Sequence, residues 1–171
     1  PRPPDAAPPE ETPTLQQWAR QAPEHLTELA AMWIETPPPV EIRMAEPLMF
    51  LGGEPTAGTR SHWMRLPREI NDPSLEAALL AYASDYFLLD MAFRSRDEPY
   101  SLATMGTSID HAIWFHRPVH FDQWHLYTHD TLVLGGERGL VRGSIHDADG
   151  RLVASTVQEV LIRTRREGTP L

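Results

Sequence analysis

Cysteine is absent from the 171 residues, which excludes disulfides, thiolate nucleophiles and cysteine-ligated zinc. Long apolar runs are missing too, and no stretch approaches the roughly 18 uninterrupted apolar residues that a membrane-spanning helix needs. Positive charge is scarce: Lys+Arg 15 against Asp+Glu 24 leaves a formal net charge of −9. No broad basic face is therefore available for nucleic acid or an anionic membrane. A basic-then-apolar leader is also lacking at the start, Pro1 onward, and the expectation is a cytoplasmic protein or part of one. Against these absences, 41% hydrophobic and 23% charged residues are ordinary for a globular chain. The length suits one domain with a substantial core.

Proline is concentrated at the front. Of 17 prolines, those at 1, 3, 4, 8, 9, 13, 23, 37, 38 and 39 precede Val40. A residue with fixed φ and no amide donor favours extended, solvated chain over residues 1–13. Thr14 is a candidate N-cap, and Leu15, Trp18, Leu26, Leu29 and Ala30 give an apolar stripe for a helix reaching Trp33, ended by three prolines. From Val40 the pattern changes to α+β. Residues 40–44 and 60–66 read as short strands. Asn71-Asp72-Pro73 announces a helix over 74–92, which is apolar on nearly every side and so expected to be enclosed. Four strand-like runs follow, 105–117, 124–134, 139–147 and 151–165, with turn signals at Gly135-Gly136 and Asp147-Ala148-Asp149-Gly150. One buried helix with a long antiparallel sheet to wrap it is the hotdog architecture.

Three polar residues stand out. Taking 100° per residue, Asp85 lies about 180° from Glu76, among small and apolar neighbours, while Glu76 and Asp90 mark the polar side. A carboxylate on an apolar face is costly unless partnered. It reads as a general base, or as an aspartate satisfied by a cap or an arginine. Ser108 has no Gly-x-Ser-x-Gly elbow around it, so it suits orienting a water better than acting as a nucleophile; it could also be a strand serine bonded to backbone. Gln158 shares a strand face with Leu152, Ala154, Thr156, Val160 and Ile162, where it could hold a water or a carbonyl, or be an edge amide near solvent. Five histidines crowd positions 111, 116, 120, 125 and 129. No two are spaced i, i+2 and no HExxH accompanies them, so they are expected to be structural, with no metal site. Asp110 and His111, as strand neighbours, should point to opposite faces. The glutamate that would complete a calcium loop after Asp147 is replaced by Gln158.

Tyr82-Ala83-Ser84-Asp85, Ser108-Ile109-Asp110-His111-Ala112-Ile113-Trp114-Phe115-His116-Arg117-Pro118 and Leu152-Val153-Ala154-Ser155-Thr156-Val157-Gln158-Glu159 resemble the acyl-CoA thioesterase II family, from about Pro37 to Arg163. The resemblance implies the C-terminal half of a double hotdog, with residues 1–36 as the interdomain linker carrying a short helix and 37–171 as the hotdog domain. It implies hydrolysis of acyl-CoA to free acid and CoA without a cofactor, and a site of Asp85, Ser108 and Gln158 acting on a bound water. It further implies a second hotdog domain, on another chain or another protomer, beside this one. The C-terminal Thr169-Pro170-Leu171 departs from a Ser-Lys-Leu peroxisomal address. An acyl-CoA hydratase fits less well, because Asn71-Asp72-Pro73-Ser74-Leu75 lacks the histidine of that motif. A non-catalytic acyl-binding or scaffolding half is the other alternative.

Overall fold

In the computed structural model, residues 5–164 are described; the C-terminal tripeptide discussed above and the first four residues lie outside them. Seven strands form one antiparallel sheet: β1 (Glu41–Met44), β2 (Arg60–Arg65), β3 (Thr104–Ser108), β4 (Ala112–Phe115), β5 (His125–Gly135), β6 (Arg138–His146) and β7 (Leu152–Thr164). Their order is β1-β2-β5-β6-β7-β3, with β4 also pairing with β7. Among the described residues four α-helices accompany the sheet: α1 (Leu15–Arg20), α2 (Thr27–Glu35), α3 (Pro73–Ser84) and α4 (Leu88–Arg94).

The local chemistry explains most boundaries. Thr14 caps α1 in a reciprocal capping box with Gln17. Asp72 accepts from the amides of Ser74 and Leu75 at the start of α3, and Pro73 opens the helix. The β5–β6 hairpin turns through Gly136 and Glu137, at φ 59° and 63°, between the paired residues Gly135 and Arg138. Two consecutive positive φ angles are the requirement of a type I′ turn. The inward face of β7 carries Ala154, Thr156, Val160 and Ile162 against the helices, and Gln158 lies among them, fully buried.

Six expectations change. The stripe from Leu15 to Trp33 is two helices, interrupted where Pro23 precedes a 3-10 turn. The segment before it is not free chain over its described length. The Ala7 carbonyl accepts from Trp63 Nε1 at 2.8 Å, the Pro13 carbonyl from the Met44 amide at 2.9 Å, and Pro9 and Thr12 are buried. Residues 105–117 are two strands, not one, because Ile109 to His111 interrupt the ladder.

The helix expected over 74–92 is also two. Between α3 and α4, Phe87 adopts φ 71°, an outlier for a bulky residue that costs about 1–3 kcal/mol unless surrounding structure imposes it. Here the surroundings do. The Phe87 ring is buried against Trp33, His62 and Tyr86, and Arg60 Nη2 donates to its carbonyl at 3.4 Å. Arg60 Nη1 meets Asp90 Oδ2 at 2.5 Å with both side chains out of water. The polarity assignment of this segment is thus reversed: Glu76 and Asp90 are buried, and the Asp85 side chain is 59% exposed. The helix pair is not fully enclosed either, with Leu75 and Tyr82 about half exposed.

Candidate active site

Asp85, Ser108 and Gln158 come from three separate elements and converge at the break between α3 and α4. Asp85 is the C-cap of α3 rather than a residue on a continuous helical face. Ser108 ends β3. Gln158 is in the middle of β7, and its Nε2 donates to Ser108 Oγ in a short hydrogen bond. Tyr82, Asp85, Tyr86, Ser108, Ile109, Asp110 and His111 line an open pocket of about 470 Å³, with Gln158 directly behind Ser108.

The interruption between β3 and β4 creates this arrangement. Ser108 pairs with Val160 and Ala112 with Val157, so three residues, Ile109 to His111, stand against two, Gln158 and Glu159. The ladder is kept by substitution: Ile109 N–H donates to the Glu159 carbonyl at 2.8 Å, and the Glu159 N–H donates to Asp110 Oδ1 at 2.8 Å. Such a bulge re-aims the side chain that follows it. His111 turns toward Gln158, with Nδ1 3.0 Å from Gln158 Oε1, 3.8 Å from Asp85 Oδ1, and Nε2 2.8 Å from Ser84 Oγ. Asp110 and His111 therefore do different work, the first in the ladder and the second in the site. Neither role was visible in an alternating strand.

A second layer holds the end of α3. Tyr127 Oη donates to the Ser84 carbonyl at 2.8 Å and lies 2.7 Å from Thr156 Oγ1, fixing the residue before Asp85. Burial pushes the Tyr127 phenol upward, the Thr156 hydrogen bond opposes it, and the Asp85 charge adds a lesser upward push. Gly143 makes room for it: a Cβ there would lie 2.3 Å from Tyr127 Cε2 and 2.4 Å from Thr156 Oγ1. A glycine in a strand interior signals such close approach, and that signal was available in the sequence. At the pocket wall, Tyr82 and Tyr86 join hydroxyl to hydroxyl at 2.7 Å. Burial first, then the Tyr82 bond and the Asp85 charge, push the Tyr86 phenol upward.

The other histidines lie elsewhere. His62 and His129 are buried side by side with ring centroids 5.1 Å apart, and His129 is edge-on to Tyr127 at 4.1 Å. Among the described residues no group of three His, Asp or Glu has metal-binding geometry. Trp124 belongs to the opposite end of the sheet, under Arg43 and Arg65, and is not continuous with exposed Trp114 and Phe115 on β4.

Three comparisons bear on this geometry. An acyl-CoA thioesterase 2 from Haemophilus influenzae is 34% identical over 151 residues, covering 87% of this chain and 51% of its own length. An acyl-CoA thioesterase II of solved structure, from Mycobacterium marinum, superposes with a TM-score of 0.69 at 29% identity, over 99% of this chain and 58% of the other. A hotdog-fold protein from Alicyclobacillus acidocaldarius gives a TM-score of 0.66 at 20% identity, over 98% of this chain and 55% of that one, and supports the fold alone. The chain spans about half the length of the curated relative and of the solved structures it matches. The family model described as the acyl-CoA thioesterase C-terminal domain matches residues 32–162. The fold is a hotdog, and the chain belongs to the acyl-CoA thioesterase C-terminal domain family.

Proposed function

We propose that this chain supplies the catalytic half of an acyl-CoA thioesterase in which Asp85 activates a water for attack on the thioester carbonyl. The observation that carries the reading is the convergence of a carboxylate, a hydroxyl and a buried amide from α3, β3 and β7 on one open pocket. Asp85 takes one proton as the water oxygen bonds to the carbonyl carbon. Ser108, held by Gln158, orients that water. Collapse of the tetrahedral intermediate breaks the C–S bond, and the proton on Asp85 passes to the departing CoA sulfur. Exposure of Asp85 suits a base that must meet a substrate, whereas the buried carboxylate of this segment, Asp90, is committed to Arg60.

The pocket is open to solvent, and Tyr82 and Ile109 in its lining are about half exposed. Leu75 on α3 and Trp114 and Phe115 on β4 are each 43% or more exposed as well. Large exposed apolar side chains on the elements that carry a site mark an interaction surface. In this reading a second hotdog domain, on a preceding part of the same polypeptide or on another protomer, covers that face and completes the acyl groove. Residues 1–36 are then the linker between the two. A non-catalytic acyl-binding half would share the groove but have no use for a water held by three polar groups.

Thiol release from medium-chain acyl-CoA, measured on the assembled protein, tests the reading. Asp85→Asn is expected to lower kcat by about 10²–10⁴ with an unchanged melting temperature. Near-normal turnover in that variant would remove Asp85 from the mechanism, and no turnover in the unmodified assembly would favour the binding role.

A further inference from the structure

Hydrolysis as described leaves His111 without a task, yet the ring is bonded at both nitrogens inside the site. Its hydrogens can be assigned by accounting. At the end of α3 the Asp85 amide reaches the Tyr82 carbonyl at 3.4 Å, and Ser84 Oγ donates its hydrogen to the Ala81 carbonyl at 2.8 Å. A hydroxyl has one hydrogen. With that hydrogen spent on Ala81, Ser84 accepts from His111, so Nε2 carries a proton in every state. Only Nδ1 remains variable.

Two networks then satisfy all the groups. With Nδ1 protonated, the ring donates to Gln158 Oε1, Gln158 Nε2 donates to Ser108 Oγ, and the Ser108 hydrogen is free to enter the pocket. With Nδ1 bare, the Gln158 amide turns over and gives its Nε2 hydrogen to the ring. Ser108 donates to Oε1, leaving only lone pairs for the pocket. We propose that His111 is a positioning residue whose Nδ1 proton sets the orientation of the Gln158 amide, and thereby decides whether Ser108 offers the pocket a hydrogen or lone pairs alone. The inference rests on the hydrolase reading for its consequence. A water that gives one hydrogen to Asp85 needs an acceptor for the other, and Ser108 is committed to accepting when Nδ1 is bare. The deprotonated ring is the productive one.

The groups around the ring are few. Asp85 from the end of α3 is the carboxylate nearest it. Asp110, on the bulge, is engaged by the Glu159 amide, and Glu159 on β7 is paired with Arg138. Tyr82 and Tyr86 face the same pocket as phenols. The sequence contains no lysine.

The test follows ring and amide directly. The chain labelled with ¹⁵N at histidine and glutamine is titrated from about pH 5 to pH 9 by NMR, a range bracketing the ordinary imidazole pKa of about 6.5. His111→Asn and Gln158→Met assign the signals. Nε2 is expected to stay protonated throughout, Nδ1 to gain its proton on acidification, and the Gln158 amide signals to shift at that same midpoint. In Ser84→Ala the Nε2 requirement is lifted and the other tautomer should appear at high pH. A bare Nε2 at high pH in the unmodified chain, or a Gln158 amide indifferent to the His111 titration, overturns the proposal. Because no turnover is involved, these outcomes are separate from failure of the hydrolase reading. In an assembly that hydrolyses acyl-CoA, kcat/KM should fall about tenfold per pH unit below the NMR midpoint, and His111→Asn should lack that limb. A variant that loses activity with the limb intact also overturns it.

Discussion

Acid should unfold this protein through two histidines that do not line the pocket. His62 and His129 are 2% and 0% exposed, and none of their four ring nitrogens has a hydrogen-bond partner among the described residues. Burial, reinforced by Arg60, lowers His62 to about 3. Burial, then His62 and Arg60, hold His129 well below the ordinary imidazole value. Both are therefore neutral in the folded state at pH 5, whereas in the unfolded chain each titrates near 6.5. The unfolded state binds more protons below that value, so stability is complete above pH 6.5 and is lost as pH falls toward 3. At pH 5 the loss per histidine is fixed by the unfolded pKa alone: about 1.5 units at 1.36 kcal/mol, or roughly 2 kcal/mol each and 4 together. Urea denaturation at pH 8 and pH 5, followed by tryptophan fluorescence, measures it. His62→Phe keeps a ring against Phe87 and Tyr127 but cannot be protonated. Its loss between the two pH values should be about 2 kcal/mol smaller than that of the unmodified chain, a difference that cancels every other titrating group. Equal losses in the two proteins would refute the argument, as would a His62 resonance titrating near pH 6.5.

Other outcomes follow from the same contacts. Gly143→Ala should cost about 1–3 kcal/mol, the usual penalty for overpacking, and lower turnover as Tyr127 is pushed from the Ser84 carbonyl; calorimetry and the thiol assay read the two effects separately. Arg60→Met leaves Asp90 buried without its partner and should cost about 3–5 kcal/mol, most of it regained in Arg60→Met/Asp90→Leu, as urea midpoints will show. With no cysteine in the chain and Ser108 bonded to Gln158, quenched turnover should show no acyl-enzyme by intact mass. An acyl increment lost in Ser108→Ala would transfer the nucleophile's role to Ser108.

How much of this was legible depended on range. The start of α3 and the two long hairpins were readable because Asp72, Pro73, Gly136 and Gly150 act within a few residues of themselves. Gln158 lies on the buried face expected of it because β7 alternates from Ala154 to Ile162 and is paired on both sides. The break at Phe87 was not readable. It is imposed by Arg60 and Trp33, distant in sequence, and a helical wheel has no term for either. The same blindness inverted the polarity of the segment, since a carboxylate that meets a guanidinium thirty residues upstream can turn inward. Asp85 emerged as the candidate base from a premise of burial that the structure reverses; its nearness to Ser108 and Gln158 rests on the turn that premise lacked. His111 was hidden by the assumption of strict alternation across 105–117.

That lost alternation makes the stretch from Ile109 to His111 sensitive to its residue count. Beyond it, Ile113 packs on the core while Trp114 faces out. Deleting any one residue of the three would restore two-against-two pairing with β7 and leave Ala112 to Phe115 against the partners they already have. The edge of the sheet would stand; what would go is the bulge that turns His111 toward Gln158 and brings Asp110 to the Glu159 amide. Point substitutions at these three positions spare the count and so spare the bulge. A one-codon deletion, chemically milder than many substitutions, would take the pocket wall apart while the strands on either side stayed paired as before.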